Sequence, residues 1–127
     1  MQGRSNQGGP FHGEGIMQRR LKKGNTPMAW TIDDFDKDGP GDIKIVEIRL
    51  HLSAASGVQN FTADIGSNDG AEYNCNLSTT AMNGLADKYL QPGNIIRAVD
   101  HLTLTFPNAL ALTWGVEVIY RPATDWD

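Results

Sequence analysis

The sequence predicts an all-β protein: an antiparallel β-sandwich or jelly roll of about seven or eight strands, with one short helix and an extended N-terminal arm. Apolar residues alternate with polar residues over most of positions 28 to 122, which is typical of half-buried strands. Turn-forming residues separate these runs at short intervals. The sequence has neither an internal repeat nor a strand-helix alternation, so a parallel α/β sheet is not expected.

The first half of the sandwich region contains three predicted features. Met28–Ile32 forms a short first strand, and residues 43 to 52 form a longer one. The apolar parity of the longer strand changes at Ile45-Val46, which indicates a bulge or a strand that passes between two sheets. The stretch from Phe61 to Leu77 alternates on both sides of an Asp-Gly pair, so we expect a hairpin there.

The second half begins with a break in the pattern. Residues 80 to 90 have apolar positions spaced for a short helix, which a glycine weakens. Strands are predicted over residues 95 to 99, 102 to 106 and 110 to 120. Pro122 ends the last of them, because proline cannot donate a ladder hydrogen bond.

The chain divides into an arm (1 to 27), a sandwich (28 to 122) and a short tail (123 to 127), and the arm differs in charge from the rest of the chain. Residues 1 to 27 contain five basic residues and one acidic residue, for a net charge of +4. Residues 28 to 127 contain six basic and fourteen acidic residues, for a net charge of −8. The glycine-rich arm has too little apolar surface to offset its ordering entropy, so we expect it to order on a partner, and the alternative is that it folds back on its own body. Such asymmetry indicates a basic arm that meets an acidic partner, although the charges could simply keep the arm soluble.

Composition also restricts the function. The single cysteine, Cys75, excludes an intramolecular disulfide, and its parity predicts a place in the core. No apolar run approaches the ~18 residues of a membrane span, so no membrane association is expected. The three histidines are His12, His51 and His101, and no serine or cysteine near them lies in a recognisable nucleophile motif. The sequence therefore predicts that the protein is not an enzyme.

An acidic segment offers a candidate metal site. Asp34, Asp36 and Asp38 precede Gly39, as in the first half of a calcium-binding loop, where alternating carboxylates converge on one ion. The twelfth position of that loop is Ile45, where a bidentate glutamate is needed. Three interpretations stay open: an acidic surface loop, a calcium site, or a site that receives the basic arm of a neighbouring copy.

The arm and tail carry the candidate partner-binding residues. Basic side chains could bind phosphates, but they lack interleaved aromatics and the body is acidic, so protein contact is preferred over nucleic acid. Trp30 and Trp114 lie in predicted strands, where burial is expected. A tryptophan in a terminal tail could instead anchor in a neighbouring subunit, or be exposed by chance. The candidate partner-binding residues are Arg4, Arg19, Arg20, Lys22, Lys23 and Trp126.

Three stretches carry a resemblance to a known class of proteins: residues 48 to 55, the hairpin over 61 to 77 and the closing run over 114 to 121. In the character and order of these strands, residues 43 to 122 or so resemble small tailed-phage virion proteins, especially head decoration or cement proteins with a jelly-roll-like sandwich. The resemblance implies a homo-oligomer in the virion that binds the major capsid protein or another virion protein.

Two alternatives remain. One is a tail, collar or spike adaptor of a virion. The other is a carbohydrate- or receptor-binding sandwich, which would need exposed aromatics on a sheet face or near the acidic loop.

Overall fold

The computed structural model describes residues 16 to 127 and confirms an all-β sandwich of two antiparallel sheets. Within these residues the only helical segments are two short 3-10 turns, Phe35–Asp38 and Ala71–Tyr73. No helix in this part of the chain is long and apolar enough to cross a membrane. The strands are β1 (Gln18–Gly24), β2 (Met28–Ile32), β3 (Asp42–Leu52), β4 (Asn60–Gly66), β5 (Cys75–Ala81), β6 (Asp87–Leu90), β7 (Ile95–Arg97), β8 (His101–Phe106) and β9 (Trp114–Pro122).

The two sheets enclose one apolar core. The five-stranded sheet has the order β1-β9-β3-β6, and β7 pairs with the other end of β3. The four-stranded sheet has the order β2-β8-β4-β5. Alternate residues of β3 and β9 face alternate residues of β4 and β8, because side chains of a strand point to opposite faces in turn. The largest fully buried side chains are Tyr120, Phe35, Phe61, Phe106, Met28, Ile45, Ile48, Leu52, Met82, Leu102, Leu104 and Val118.

The predicted parity change in β3 is a bulge. Ile45 pairs with Tyr120 and Glu47 pairs with Ile119, so Val46 is the extra residue on β3. The bulge brings both Ile45 and Ile48 to full burial, although they are three positions apart.

The short helix predicted over residues 80 to 90 is wrong. Ala81 ends β5 and Asp87 begins β6, with a turn between them in which the Leu85 amide donates to the Met82 carbonyl at 2.6 Å. Gly84 in this turn has a φ of 78°, a left-handed conformation that ends a helix rather than continuing one.

Two other details differ from the sequence prediction. The last strand begins at Trp114 rather than near residue 110, because Asn108 and Ala111 adopt positive φ angles of 53° and 52° in the preceding loop. Cys75 is exposed rather than in the core. It begins β5, which is an edge strand of the four-stranded sheet, so a second strand does not cover it.

Residues 16 to 27 of the predicted arm are described, and Gln18–Gly24 among them form strand β1, which pairs with β9 from Gln18 opposite Tyr120 to Gly24 opposite Trp114. These seven residues are therefore part of the five-stranded sheet of their own sandwich. The connection to β2 is anchored, because the Trp114 indole donates to the Thr26 carbonyl at 2.7 Å.

Candidate partner-binding surface

The outward side of the five-stranded sheet, here called the outer face, brings residues of four strands into cross-strand rows. The rows follow from the registers of β1, β9, β3 and β6. The outward positions are a mixture of charged residues, one tyrosine, a glycine and two aliphatic residues, whereas the inward residues Trp114, Val116, Val118 and Tyr120 of β9 are all buried. The rows are Arg19, Ile119 and Glu47; Leu21, Glu117, Arg49 and Tyr89; and Lys23, Gly115, His51 and Asp87.

A charge network crosses the first two rows. Glu117 accepts from Arg19 at 2.5 Å and from Arg49 at 3.3 Å. Arg49 also pairs with Glu47 at 3.0 Å, and its guanidinium lies 5.2 Å from the centre of the Tyr89 ring. Hydrogen bonding from Tyr89 and then from Arg49 lowers the pKa of Glu47. Exposed pairs of this kind contribute little stability individually, so the network mainly fixes the orientation of Arg49 and Tyr89.

An open groove of about 820 Å³ lies over the third row. Its floor is Gly115, where an added Cβ would meet no atom within 4 Å. Leu21 and Tyr89 border the groove and are 69% and 53% exposed. At the far side, His51 Nδ1 lies 2.5 Å from Asp87 Oδ1. Exposed apolar side chains inside a concave, polar-rimmed surface are typical of a binding site.

Arg20 points away from the outer face and holds β1 on the acidic loop. Its guanidinium donates to Asp34 at 2.5 Å and to Asp38 at 3.0 Å. It also lies 5.8 Å from the ring centre of Phe35 and 5.5 Å from that of Tyr120, whose hydroxyl donates to Asp38. We call this set of five residues the arm clasp.

Two pKa shifts follow from the arm clasp. The hydrogen bond from Arg20 lowers the pKa of the Asp34 carboxyl. Burial, and then the hydrogen bond to Asp38, raises the pKa of Tyr120 well above its usual range. Both shifts favour the arrangement found at neutral pH: a charged carboxylate beside the guanidinium, and a protonated phenol that donates.

The arm clasp changes the interpretation of the candidate calcium residues. Asp34 and Asp38 face Arg20, and Asp36 is exposed on the same 3-10 turn. Over residues 16 to 127, no group of three or more carboxylate, histidine or cysteine side chains is placed to hold a metal ion. The acidic loop thus receives a basic residue of its own arm. Calcium binding stays a prediction. If calcium binds, its removal with EGTA should lower the melting temperature of the protein.

The C-terminal residues form an anchored turn that presents Trp126. The Asp127 carboxylate accepts two bonds from Arg121 at 2.8 Å and one from the Thr124 amide at 2.8 Å, and it lies 3.4 Å from Lys44 Nζ. These contacts, led by Arg121, hold the pKa of Asp127 well below its usual range. Trp126 is 96% exposed.

The other two tryptophans belong to the interior of the sandwich. Trp114 is 3% exposed, and Trp30 is half-buried against the core. Trp126 is therefore the one exposed tryptophan of the three, and it stays the candidate anchor that the sequence indicated.

The structure separates the predicted partner-binding residues into groups. Arg19 and Lys23 lie on the outer face, whereas Arg20 belongs to the arm clasp. Lys22 lines the groove together with Lys23. Trp126 lies on the C-terminal turn, and Arg4 lies outside the described residues.

Sequence reasoning missed Gly115, Arg49 and Tyr89 as parts of a site. The sequence did contain a signal for Gly115. Gly115 and Glu117 alternate with the buried valines of β9, so both residues had to face outward. The pairing that places Arg49 and Tyr89 in one row with Glu117 is long-range, and sequence periodicity does not reveal it.

Comparison with known proteins gives the fold alone. No protein-family model matches the chain, and no curated protein matches its sequence. One similar solved structure is the Drosophila NLP core, a crystal structure described for its insight into pentamer formation and histone binding. The two share 7% identity with a TM-score of 0.52, and the match covers 87% of this chain and 100% of the other.

Proposed function

We propose that the protein is a non-catalytic structural component of a virus particle that associates with copies of itself and attaches to a larger shell protein through its basic arm. The observation that carries this proposal is the position of β1. It is a basic strand at the edge of the five-stranded sheet as described, with Arg19 and Lys23 outward. An edge strand presents backbone donors and acceptors to another chain, and basic side chains on it select an acidic partner.

Self-association is supported by a structural neighbour. The Drosophila NLP core shares the sandwich fold and is described as forming a pentamer, so a sandwich of this shape can serve as a subunit. Repetition over a particle surface would add avidity to each weak arm contact. A tail, collar or spike adaptor would use the same arm and sandwich, and its partner would be a different component of the virion.

The test is association with particles. Lysates of cells that encode the chain are separated on a density gradient, and each fraction is probed with an antibody to the purified protein. The full chain should co-sediment with virus particles, and Arg19→Gln/Lys23→Gln should reduce its occupancy. Lys37→Gln is the matched control, because Lys37 is an exposed cation of the acidic loop.

Absence of the chain from every particle fraction would refute the proposal. Deletions should stop before residue 16, because removal of 1 to 27 would also remove β1 from the sheet.

A second candidate function comes from the charge of the body. Residues 28 to 127 carry a net charge of −8, and the Drosophila NLP core is described as binding histones. A basic protein could therefore bind the body instead of an acidic protein binding the arm. Core histones are a suitable probe. Salt-sensitive binding of histones by the full chain, together with absence from particles, would favour this candidate. The carbohydrate-binding alternative predicts binding on a glycan array that Tyr89→Ala abolishes.

A further inference from the structure

We infer that the outer face pairs with the outer face of a second copy, with Trp126 of each copy entering the Gly115 groove of the other. This inference rests on the self-association in the proposed function and names its contact. The occupant of the groove is a residue of the same chain, so both halves of the contact lie among residues 16 to 127.

Trp126 is built for an intermolecular contact. A tryptophan that is 96% exposed loses a large apolar area from water when it binds, which makes it an effective anchor. The turn that carries it is already fixed, because the Asp127 carboxylate holds Arg121 and the Thr124 amide. A fixed turn loses less conformational entropy on binding than a mobile tail does.

The groove complements an indole in shape. Gly115 leaves its floor without a side chain, and the Leu21 and Tyr89 side chains provide exposed apolar borders. The cavity of about 820 Å³ is large enough for an indole and the backbone of the turn that carries it.

The charges of the two surfaces are also complementary. Trp126 follows Asp125, which is exposed. The groove is lined by four basic residues, namely Lys22, Lys23, Arg49 and Lys88, and by the acidic residues Asp87 and Glu117. Glu117 is already paired with Arg19 and Arg49, and Asp87 lies against His51. Arg49 is in turn paired with Glu47 and Glu117, so the positive excess where the acidic turn would dock comes from Lys22, Lys23 and Lys88.

The two features lie at opposite ends of one sheet face. Arg121 and Lys44 pair across β9 and β3 on the outer face and hold the Trp126 turn there. Gly115 is six residues away on β9, about 20 Å along an extended strand. A twofold axis between the two ends places each Trp126 over the groove of the other copy. Such reciprocal contacts are the usual form of a symmetric pair.

The experiment measures self-association of the full chain by sedimentation velocity over a wide concentration range. Trp126→Ala should weaken association at least tenfold, the loss expected for a buried tryptophan anchor. Gly115→Leu should fill the groove and weaken association similarly, and the added Cβ meets no atom within 4 Å. Tyr73→Ala is the aromatic control, because Tyr73 is 68% exposed in the 3-10 turn after β4. Gly57→Leu is the glycine control.

A mixing experiment tests reciprocity. Trp126→Ala keeps an intact groove and Gly115→Leu keeps an intact tryptophan, so a mixed pair retains one of the two contacts. The mixture should associate more tightly than either variant alone, and acrylamide quenching of Trp126 should decrease when the wild type associates. If Gly115→Leu does not fold, Tyr89→Ala replaces it.

Three results would overturn the inference. If both variants associate as tightly as the wild type, the Trp126 contact is refuted, but self-association still holds. If the wild-type chain stays monomeric yet co-sediments with particles, self-association is refuted and attachment to the shell still holds. An assembly with an odd number of copies would exclude reciprocal pairing of every copy.

Discussion

Replacing Arg20 with methionine tests whether the arm clasp holds β1 on the sandwich. The change keeps much of the apolar stem and removes two charge-assisted hydrogen bonds, to Asp34 and Asp38. A buried bond of this kind contributes about 1.5–3 kcal/mol. The two carboxylates are 35% and 32% exposed, so screening by solvent reduces each contribution to about 1 kcal/mol.

The cation–π contacts with Phe35 and Tyr120 add about 0.5–1 kcal/mol. The expected loss in the free energy of unfolding is therefore about 2–3 kcal/mol, or about 10 °C in melting temperature for a domain of this size. Urea unfolding at pH 7 measures the loss. Arg19→Gln is the control, because Arg19 makes an exposed pair with Glu117 and should cost under about 1 kcal/mol.

The pH dependence of this loss has a fixed sign. Arg20 lowers the folded-state pKa of Asp34, so the stabilisation is complete above the unfolded pKa near 4 and is lost as the pH falls through the folded-state value. The stability difference between wild type and Arg20→Met should therefore be full at pH 7 and shrink below about pH 4. A variant as stable as Arg19→Gln at pH 7, or a difference that grows in acid, would refute the role assigned to the arm clasp.

Three further predictions concern single residues. Asn108→Ala should lower the free energy of unfolding by about 2–3 kcal/mol, because Asn108 is buried and donates to the Thr26 carbonyl. Urea unfolding measures this loss, and Asn108→Gly separates the lost hydrogen bonds from the strain of the positive φ. Cys75 should react with a maleimide in the native state, and a thiol that reacts only after unfolding would contradict its exposure. Because the pKa of Asp127 is depressed, fluorescence anisotropy should find the Trp126 turn ordered down to about pH 4, whereas Asp127→Asn should loosen it at pH 7.

Local patterns predicted much of the fold. The switch of apolar parity at Ile45-Val46 indicated a bulge, and the bulge is present because both Ile45 and Ile48 must reach the core. The hairpin from Phe61 to Leu77 followed from alternation around Asp69-Gly70, and β4 and β5 pair there. These features are determined by neighbours in the chain.

Local patterns failed where a distant strand decides the outcome. Cys75 has core parity, yet it lies at a sheet edge that no second strand covers. Residues 18 to 24 have an arm-like composition, yet β9 supplies a pairing edge and the acidic loop supplies two carboxylates for Arg20. Composition gives no information about the strand that a segment will meet.

The sequence by itself determined the all-β class, the segregation of charge and the presence of a tryptophan outside any strand. These depend on periodicity and composition, which are properties of short stretches. Only the tertiary structure decided that part of the basic arm is a strand of the sandwich, and that Gly115, Leu21 and Tyr89 border one groove. Long-range pairing of β1, β9, β3 and β6 brings these residues together, and the entropy of closing such loops is offset only when the whole core forms.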